Sequence, residues 1–218
     1  MSALSPAELA ALRQDYAQRG LRRCELDADP IRQFNAWLAE AASRQLLEPN
    51  AMTLATVDPE GQPWTRTVLL KICDERGFTF FTNYAGAKGR HLEGNPRAAL
   101  TFWWSALERQ VNVTGTVMKV SREESELYFH SRPVSSQIGA WASAQSEVVK
   151  DREQLERQFA EALAKYGESD IPLPPYWGGY CVLPRTIEFW QGRKSRLHDR
   201  LRYLRSGEGS WLVERLSP

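Results

Sequence analysis

The spacing of apolar residues changes twice along this chain. Near the N-terminus they fall three and four apart. Leu9, Leu12 and Tyr16 lie near one face of a short polar helix predicted over residues 5–18, which Gly20-Leu21-Arg22-Arg23 breaks. Ile31, Phe34, Leu38, Ala41 and Leu46 form the stripe of a second helix. Asp29 caps it, Pro30 fits its first position, and Pro49 follows its end. From Met52 the period changes. Strands are predicted over Met52–Val57, Trp64–Ile72, Phe78–Thr82, Ala98–Trp104 and Gln110–Val120. Asp58-Pro59-Glu60-Gly61 and Asp74-Glu75-Arg76-Gly77 turn between the first three. In the last strand Val111, Val113 and Val117 alternate with Gln110, Asn112, Thr114 and Thr116, the pattern of a half-buried strand.

The helical period then returns. Ser121-Arg122-Glu123-Glu124 is a capping box that opens a helix to about Phe129, and Pro133 opens another to about Trp141. Asp151–Tyr166 aligns Leu155, Phe159, Leu163 and Tyr166, with Gly167 as its stop. After the stiff connector Ile171-Pro172-Leu173-Pro174-Pro175, four strands are predicted: Tyr180–Leu183, Thr186–Trp190, Arg196–Tyr203 and Trp211–Glu214. Ser206-Gly207-Glu208-Gly209 turns between the last two. Closely spaced strands with helices before, between and after them predict an α+β fold dominated by β, an antiparallel Greek-key-like barrel with flanking helices. No repeat or linker divides the 218 residues, so one domain is expected.

Charge narrows the function classes. Lys plus Arg is 28 against 27 Asp plus Glu, a near-balance that argues against a general nucleic-acid binder but allows a local basic pocket. Cys24, Cys73 and Cys181 are far apart and form no CxxC pair, and His91, His130 and His198 are equally scattered. Neither a disulfide framework nor a metal site is expected. Met1–Glu8 lacks a basic segment followed by an apolar one, and no apolar run approaches the ~18 residues of a membrane span. A soluble cytoplasmic setting is the expectation.

Four stretches carry candidate chemistry. If Arg196–Arg200 is extended, Arg196, His198 and Arg200 share one face, with Trp190 upstream to offer a flat surface. That face suits an anionic, ring-bearing ligand, and equally a solvated edge strand. Asn83–Arg90 places small residues, Lys88 and Arg90 between a strand and a helix start, where free backbone N–H groups attract phosphate; a plain turn has the same composition. Arg66 and Lys71 flank the apolar run Thr67-Val68-Leu69-Leu70 but differ in parity, so an ideal strand points them to opposite faces. Tyr128–Gln137 gathers hydroxyls and Arg132 at a helix start, which suits an oxyanion or ordinary capping. Trp103, Trp104, Trp141, Trp177 and Trp190 fit a core as well as a cofactor platform, and His91 and His130 read as structural or exposed. No acid pair or Ser/His/Asp spacing stands out, and a redox role needs a borrowed cofactor.

In this order the pieces resemble the pyridoxine/pyridoxamine 5′-phosphate oxidase family. The resemblance runs from about Leu12 to Pro218 and is most specific at Glu188-Phe-Trp-Gln-Gly192 with Arg196-Leu-His-Asp-Arg200. Arg66-x-Val-Leu-Leu-Lys71, Glu108-Arg-Gln-Val111, Tyr128-Phe-His-Ser-Arg-Pro133, Ser136-Gln-Ile-Gly-Ala140 and Trp177-Gly-Gly179 support it. It implies an FMN-binding split β-barrel over residues 29–218, preceded by an N-terminal helix and lid segment over 1–28. It also implies a homodimer with FMN at the subunit interface, each cofactor touching both chains. The implied reaction oxidises pyridoxine or pyridoxamine 5′-phosphate to pyridoxal 5′-phosphate, with hydride transfer from C4′ to FMN and reoxidation by O2 to H2O2.

By position, Arg66, Thr67, Val68, Leu69, Leu70, Lys71, Phe81, Thr82, Lys88, Gln110, Gln145, Ser146, Trp190 and Arg200 are the implied FMN contacts. Lys71, Tyr128, Arg132 and Ser136 are implied to hold the substrate phosphate, Arg196 and His198 to sit over its ring as the catalytic pair, and Arg13 and Tyr16 to belong to the lid. One departure concerns the loop after the third strand, where the family usually carries Ser-Arg-Lys and this chain has Gly86-Ala87-Lys88. A cation expected at the FMN phosphate is replaced by Ala87. Two other functions fit parts of the pattern: a split-barrel flavoprotein acting on another substrate, such as a phenazine precursor, and a non-catalytic pyridoxal-phosphate binder.

Overall fold

Turn chemistry sets the first hairpin. Gly61 takes φ +86°, and the Asp58 carboxylate accepts the amides of Glu60 and Gln62, so β1 (Ala51–Val57) folds back on β2 (Pro63–Leu69) with Ala51 opposite Leu69. The chain then changes partners. Leu70 N–H still donates to Asn50 on the β1 side, whereas Lys71 N–H donates to Thr79, and β3 (Ile72–Asp74) pairs with β4 (Gly77–Asn83). The predicted strand Trp64–Ile72 is therefore two strands. This removes the parity conflict of Arg66 and Lys71, since no single pleat runs through both.

The computed structural model describes residues 4–12, 16–167, 169–207 and 209–218. Its nine-stranded antiparallel sheet has the order β2-β1-β5-β6-β7-β4-β3, with β8 and β9 branching from β7. The remaining strands are β5 (Arg97–Trp104), β6 (Arg109–Lys119), β7 (Trp177–Gln191), β8 (Asp199–Arg205) and β9 (Trp211–Leu216). Strand β7 merges the two predicted strands on either side of Pro184. One edge pairs with β6 from Tyr180 to Gln191, with a register shift at Thr114/Gly115. The other edge pairs with β4 over Trp177–Val182 and with β8 over Thr186–Gln191. At the bend a Cβ on Gly115 would lie 2.1 Å from the Leu183 carbonyl oxygen, so only glycine fits. The sheet curls without closing, and the opening lies between β2 and β4.

Alternation fills the interior with Met52, Leu54, Leu100, Phe102, Val111, Val113, Ile187, Phe189, Leu201 and Tyr203. Helix α2 (Pro30–Ser43), capped by Asp29 as predicted, plugs one end. Its Phe34 is fully buried, with ring centroids 4.9 Å from Phe78 and 4.8 Å from Phe102. Burial of each such side chain contributes roughly 1.5–3 kcal/mol. Helices α4 (Arg122–His130), α5 (Val134–Ala142) and α6 (Arg152–Tyr166) form a second core around Phe129, Ile138 and Trp177 on the other face of the β4–β7 pair.

Other predictions are corrected. The first helix, α1, spans only Pro6–Ala11; Leu9 and Leu12 are exposed, and Tyr16 lies beyond it. Strand β8 begins at Asp199, not Arg196, because Ser195 and Arg196 take φ of +57° and +60°, which no strand allows. Arg196 and His198 thus stand in a turn, and the alternating face with Arg200 does not form. All three cysteines are free. Among the described residues no helix is long and apolar enough to cross a membrane, and no cluster of His, Cys, Asp and Glu could hold a metal ion.

Candidate functional site

Where the sheet fails to close, backbone and side chains surround a cavity of about 700 Å³. Strand β2 contributes Arg66, Thr67, Val68 and Leu69, and the crossover to β3 contributes Lys71. Strand β4 adds Phe81 and Thr82, helix α3 (Ala87–Gly94) adds Lys88, and the helical layer adds Tyr128, Arg132, Gln145 and Ser146. Phe81 and Tyr128 stack 4.0 Å apart between centroids, and Phe81 stacks on Trp177 at 5.7 Å. These rings make one wall rigid.

Among the described residues the lining holds Arg66, Lys71, Lys88 and Arg132 and no carboxylate. Lys88 Nζ donates to Gln145 Oε1 at 2.7 Å and Thr82 Oγ1 at 3.1 Å, both neutral. Burial, then the neighbouring Arg66 charge, pushes its pKa down to about 8. Among the described residues Arg66 donates to the Leu54 and Trp64 carbonyls and the Thr56 hydroxyl, and burial lowers its pKa as well. Arg132 lies over the Trp177 ring at 4.7 Å, and its buried Nη1 has no hydrogen-bond partner among the described residues. An unpaired buried guanidinium nitrogen costs stability that an incoming anion returns. At the N-terminus of α3, Ala87 N–H donates to Ser146 Oγ, and Arg90 is drawn away to Glu147 and the Ala85 carbonyl.

The remaining predicted contacts gather elsewhere. Trp103, Gln110, Trp190, Arg200 and Leu216 lie opposite one another across β5 to β9, on the sheet face turned away from the core. Arg200 pairs with Glu188 at 2.8 Å. His198 packs 4.6 Å from Trp190, and Tyr16 sets its edge against both, at 5.6 Å from Trp190 and 5.5 Å from His198. The His198 Nδ1 accepts the Arg193 amide at 3.1 Å, and burial, then the Arg196 charge, lowers its pKa. None of these residues lines the cavity at the opening. Leu70 is buried behind that cavity, and Ser136, in the first turn of α5, is not in its lining either. Arg13 lies outside the described residues.

Two features of the site had no role assigned to them in the sequence, although Gly139, Ala140, Trp177 and Glu108 stand in the motifs that carry the resemblance. Trp177, Gly139, Ala140 and Ser143 also line the cavity; the small residues on α5 were a usable signal, since they let a ligand approach the helix. Glu108 is the other. It adopts the left-handed conformation, φ 53° and ψ 39°, and its carboxylate accepts the amides of Ala17 at 3.0 Å and Gln18 at 3.0 Å. Gly192 leaves the space for Tyr16, whose ring would meet an added Cβ at 2.7 Å. A strap from Tyr16 onward is thereby fixed across the turn that carries His198.

Two outcomes follow. Sulfate, whose charge does not change near neutrality, binds the cavity with Lys88 charged below about pH 8 and neutral above. Its affinity in calorimetric titration falls as pH rises through that value, and Lys88→Met abolishes the step; a flat profile contradicts it. Glu108→Ala removes charge-assisted bonds, so the Ala17 and Gln18 amides exchange about tenfold faster or more in hydrogen-exchange mass spectrometry. Unchanged exchange would refute the clamp.

Known proteins resemble this chain in sequence and in fold. A family model described as pyridoxamine 5′-phosphate oxidase matches residues 38–166, and one described as the pyridoxine 5′-phosphate oxidase C-terminal dimerisation region matches 177–218. The chain is 57% identical to a pyridoxine/pyridoxamine 5′-phosphate oxidase of Nostoc punctiforme over 96% of this chain and 98% of the relative. It is also 57% identical to one of Ralstonia pickettii, over 96% and 99%. Among solved structures, PhzG from Burkholderia lata 383, in complex with tetrahydrophenazine-1-carboxylic acid, superposes with a TM-score of 0.86 at 32% identity, covering 92% of this chain and 99% of that one. A pyridoxamine 5′-phosphate oxidase-related, FMN-binding protein of Nostoc punctiforme shares the fold, with a TM-score of 0.71 at 18% identity over 88% and 100%. The chain belongs to the pyridoxine/pyridoxamine 5′-phosphate oxidase family, a family of FMN-dependent enzymes with a split-barrel fold.

Proposed function

We propose that this protein oxidises pyridoxine or pyridoxamine 5′-phosphate to pyridoxal 5′-phosphate as a homodimer. The observation that carries the reading is the cavity at the barrel opening, with four cations, no carboxylate and an unpartnered Arg132 Nη1. It suits two phosphorylated ligands side by side. Arg66, Lys88, Thr82, Gln145, Ser146 and the backbone of β2 would hold FMN, with its phosphate near the start of α3. Lys71, Tyr128 and Arg132 would hold the substrate phosphate, with Ser136 in the first turn of α5 as a further hydroxyl for it. Bound FMN would supply the acceptor for the C4′ hydride and the route of its electrons to O2, giving H2O2; with pyridoxamine 5′-phosphate, water would hydrolyse the resulting imine and ammonia would leave.

The second cluster completes the site from the other chain. Gln110, Trp190 and Arg200 present a ridge on the outward face of the sheet, within and beside the segment matched by the dimerisation model. A two-fold dimer built on this face would bring each ridge to its partner's cavity. Arg196 and His198 would then stand over the substrate ring. With Nδ1 accepting the Arg193 amide, a neutral His198 carries its proton on Nε2 and offers it as a donor. The N-terminal segment, with Tyr16 held by the Glu108 clamp and Arg13 preceding it, would act as the lid of residues 1–28 over the 29–218 barrel and exclude water.

The similarity to PhzG favours a second reading, oxidation of a phenazine precursor. The groups that fit a phosphate dianion, Lys71, Tyr128 and Arg132, favour the first. Purified protein reconstituted with FMN should release H2O2 under air when pyridoxine 5′-phosphate is added. Arg132→Ala should raise KM for that substrate about tenfold or more, as expected for a lost charge-assisted contact. Flavin-loaded protein that leaves pyridoxine and pyridoxamine 5′-phosphate unchanged rules the proposal out. Tight pyridoxal phosphate binding without flavin uptake would mark a carrier instead.

A further inference from the structure

His91 is buried on α3, one turn past the helix start, and faces β1 rather than solvent. Its Nδ1 stands 3.0 Å from Thr56 Oγ1, and Thr56 is 1% exposed. The same hydroxyl oxygen accepts Arg66 Nη1 at 2.6 Å. A guanidinium only donates, so the hydroxyl proton must point elsewhere, and His91 Nδ1 is the acceptor that remains to it. The order of donors is thereby set: Arg66 to Thr56, Thr56 to His91. With Nδ1 accepting, the ring proton belongs on Nε2. A proton on Nδ1 would leave the buried Thr56 O–H without a partner.

The relay orients a cation without cancelling it. All three acceptors of Arg66 are neutral oxygens. A carboxylate in place of Thr56 would hold the guanidinium as firmly and neutralise it for any arriving anion. The relay matters more in this chain because Ala87 offers no cation at the start of α3, leaving Arg66 and Lys88 as the charges beside Gln145 and Ser146. The same bond ties α3 to β1, so the helix start and Arg66 are placed together.

We propose that His91 is a positioning residue for FMN, setting Arg66 toward the cofactor phosphate through the Thr56 hydroxyl. The inference rests on FMN occupying the cavity at the barrel opening. Fluorescence-quenching titration of the full-length apoprotein with FMN tests it. His91→Leu and Thr56→Val should each weaken FMN binding about tenfold, the double variant no further, and His91→Gln less than threefold, because its amide oxygen accepts the hydroxyl proton. Nitrogen-15 NMR of the wild-type holoprotein should show His91 with a bare Nδ1 and a protonated Nε2, which decides the relay even if His91→Leu fails to fold. Unchanged affinity in His91→Leu, additive losses in the double variant, or a protonated Nδ1 would each overturn the proposal. Wild-type protein that takes up no FMN while keeping the bare Nδ1 would refute the flavin site and leave the relay standing.

Discussion

Strand β7 has to serve two partners along one edge, β4 for its first half and β8 for its second, and the rest of the molecule depends on that division. A sheet shared this way curls but cannot close, so an opening remains between β2 and β4. The chain crosses it at Leu70-Lys71, where the hydrogen bonds of Leu70 go to one sheet segment and those of Lys71 to the other. Backbone that would otherwise be spent on pairing is free to face a ligand there. The far half of β7, paired with β8, carries Trp190 away from that opening and onto the outer face.

The opening is electrostatically prepared. Arg66, Lys88 and Arg132 sit partly desolvated beside neutral oxygens and aromatic faces, an arrangement that is unfavourable until an anion arrives. Preorganised charge of this kind favours a bound phosphate because little rearrangement is left to make on binding. The outer ridge behaves differently. Arg200 is already paired with Glu188, and Arg202 with Glu214, so that face is matched within itself and suits a protein surface rather than a free anion.

Much of the fold was legible in the sequence because short-range chemistry decides it. Asp29, Ser121, Asp58-Pro59-Glu60-Gly61 and Gly167 each act through hydrogen bonds or dihedral freedom within a few residues, and each stands where predicted. The cations around the cavity were legible as charges in otherwise apolar or small-residue stretches. Their assembly was not, since Arg66 and Lys71 belong to different strands. Arg196 to Arg200 misled for a related reason. Alternating side chains imitate a strand, while Ser195 and Arg196 take positive φ in a turn whose flanking Arg193, His198 and Asp199 contact residues 16–21. Glu108 and His91 act through contacts with residues far away in sequence, and no local pattern marks such roles.

The central claim is that one active site takes its cavity from one chain and its Trp190–His198 ridge from another. Co-expressing Arg132→Ala with His198→Ala tests it most directly. In a mixed dimer both defects fall on one site, and the other site is intact. At substrate well below the raised KM of Arg132→Ala, where each variant alone is strongly impaired, the random mixture should therefore regain about a quarter of wild-type oxidase activity. Activity that stays at the level of the separate variants would mean that each site lies within a single chain, and would contradict the account.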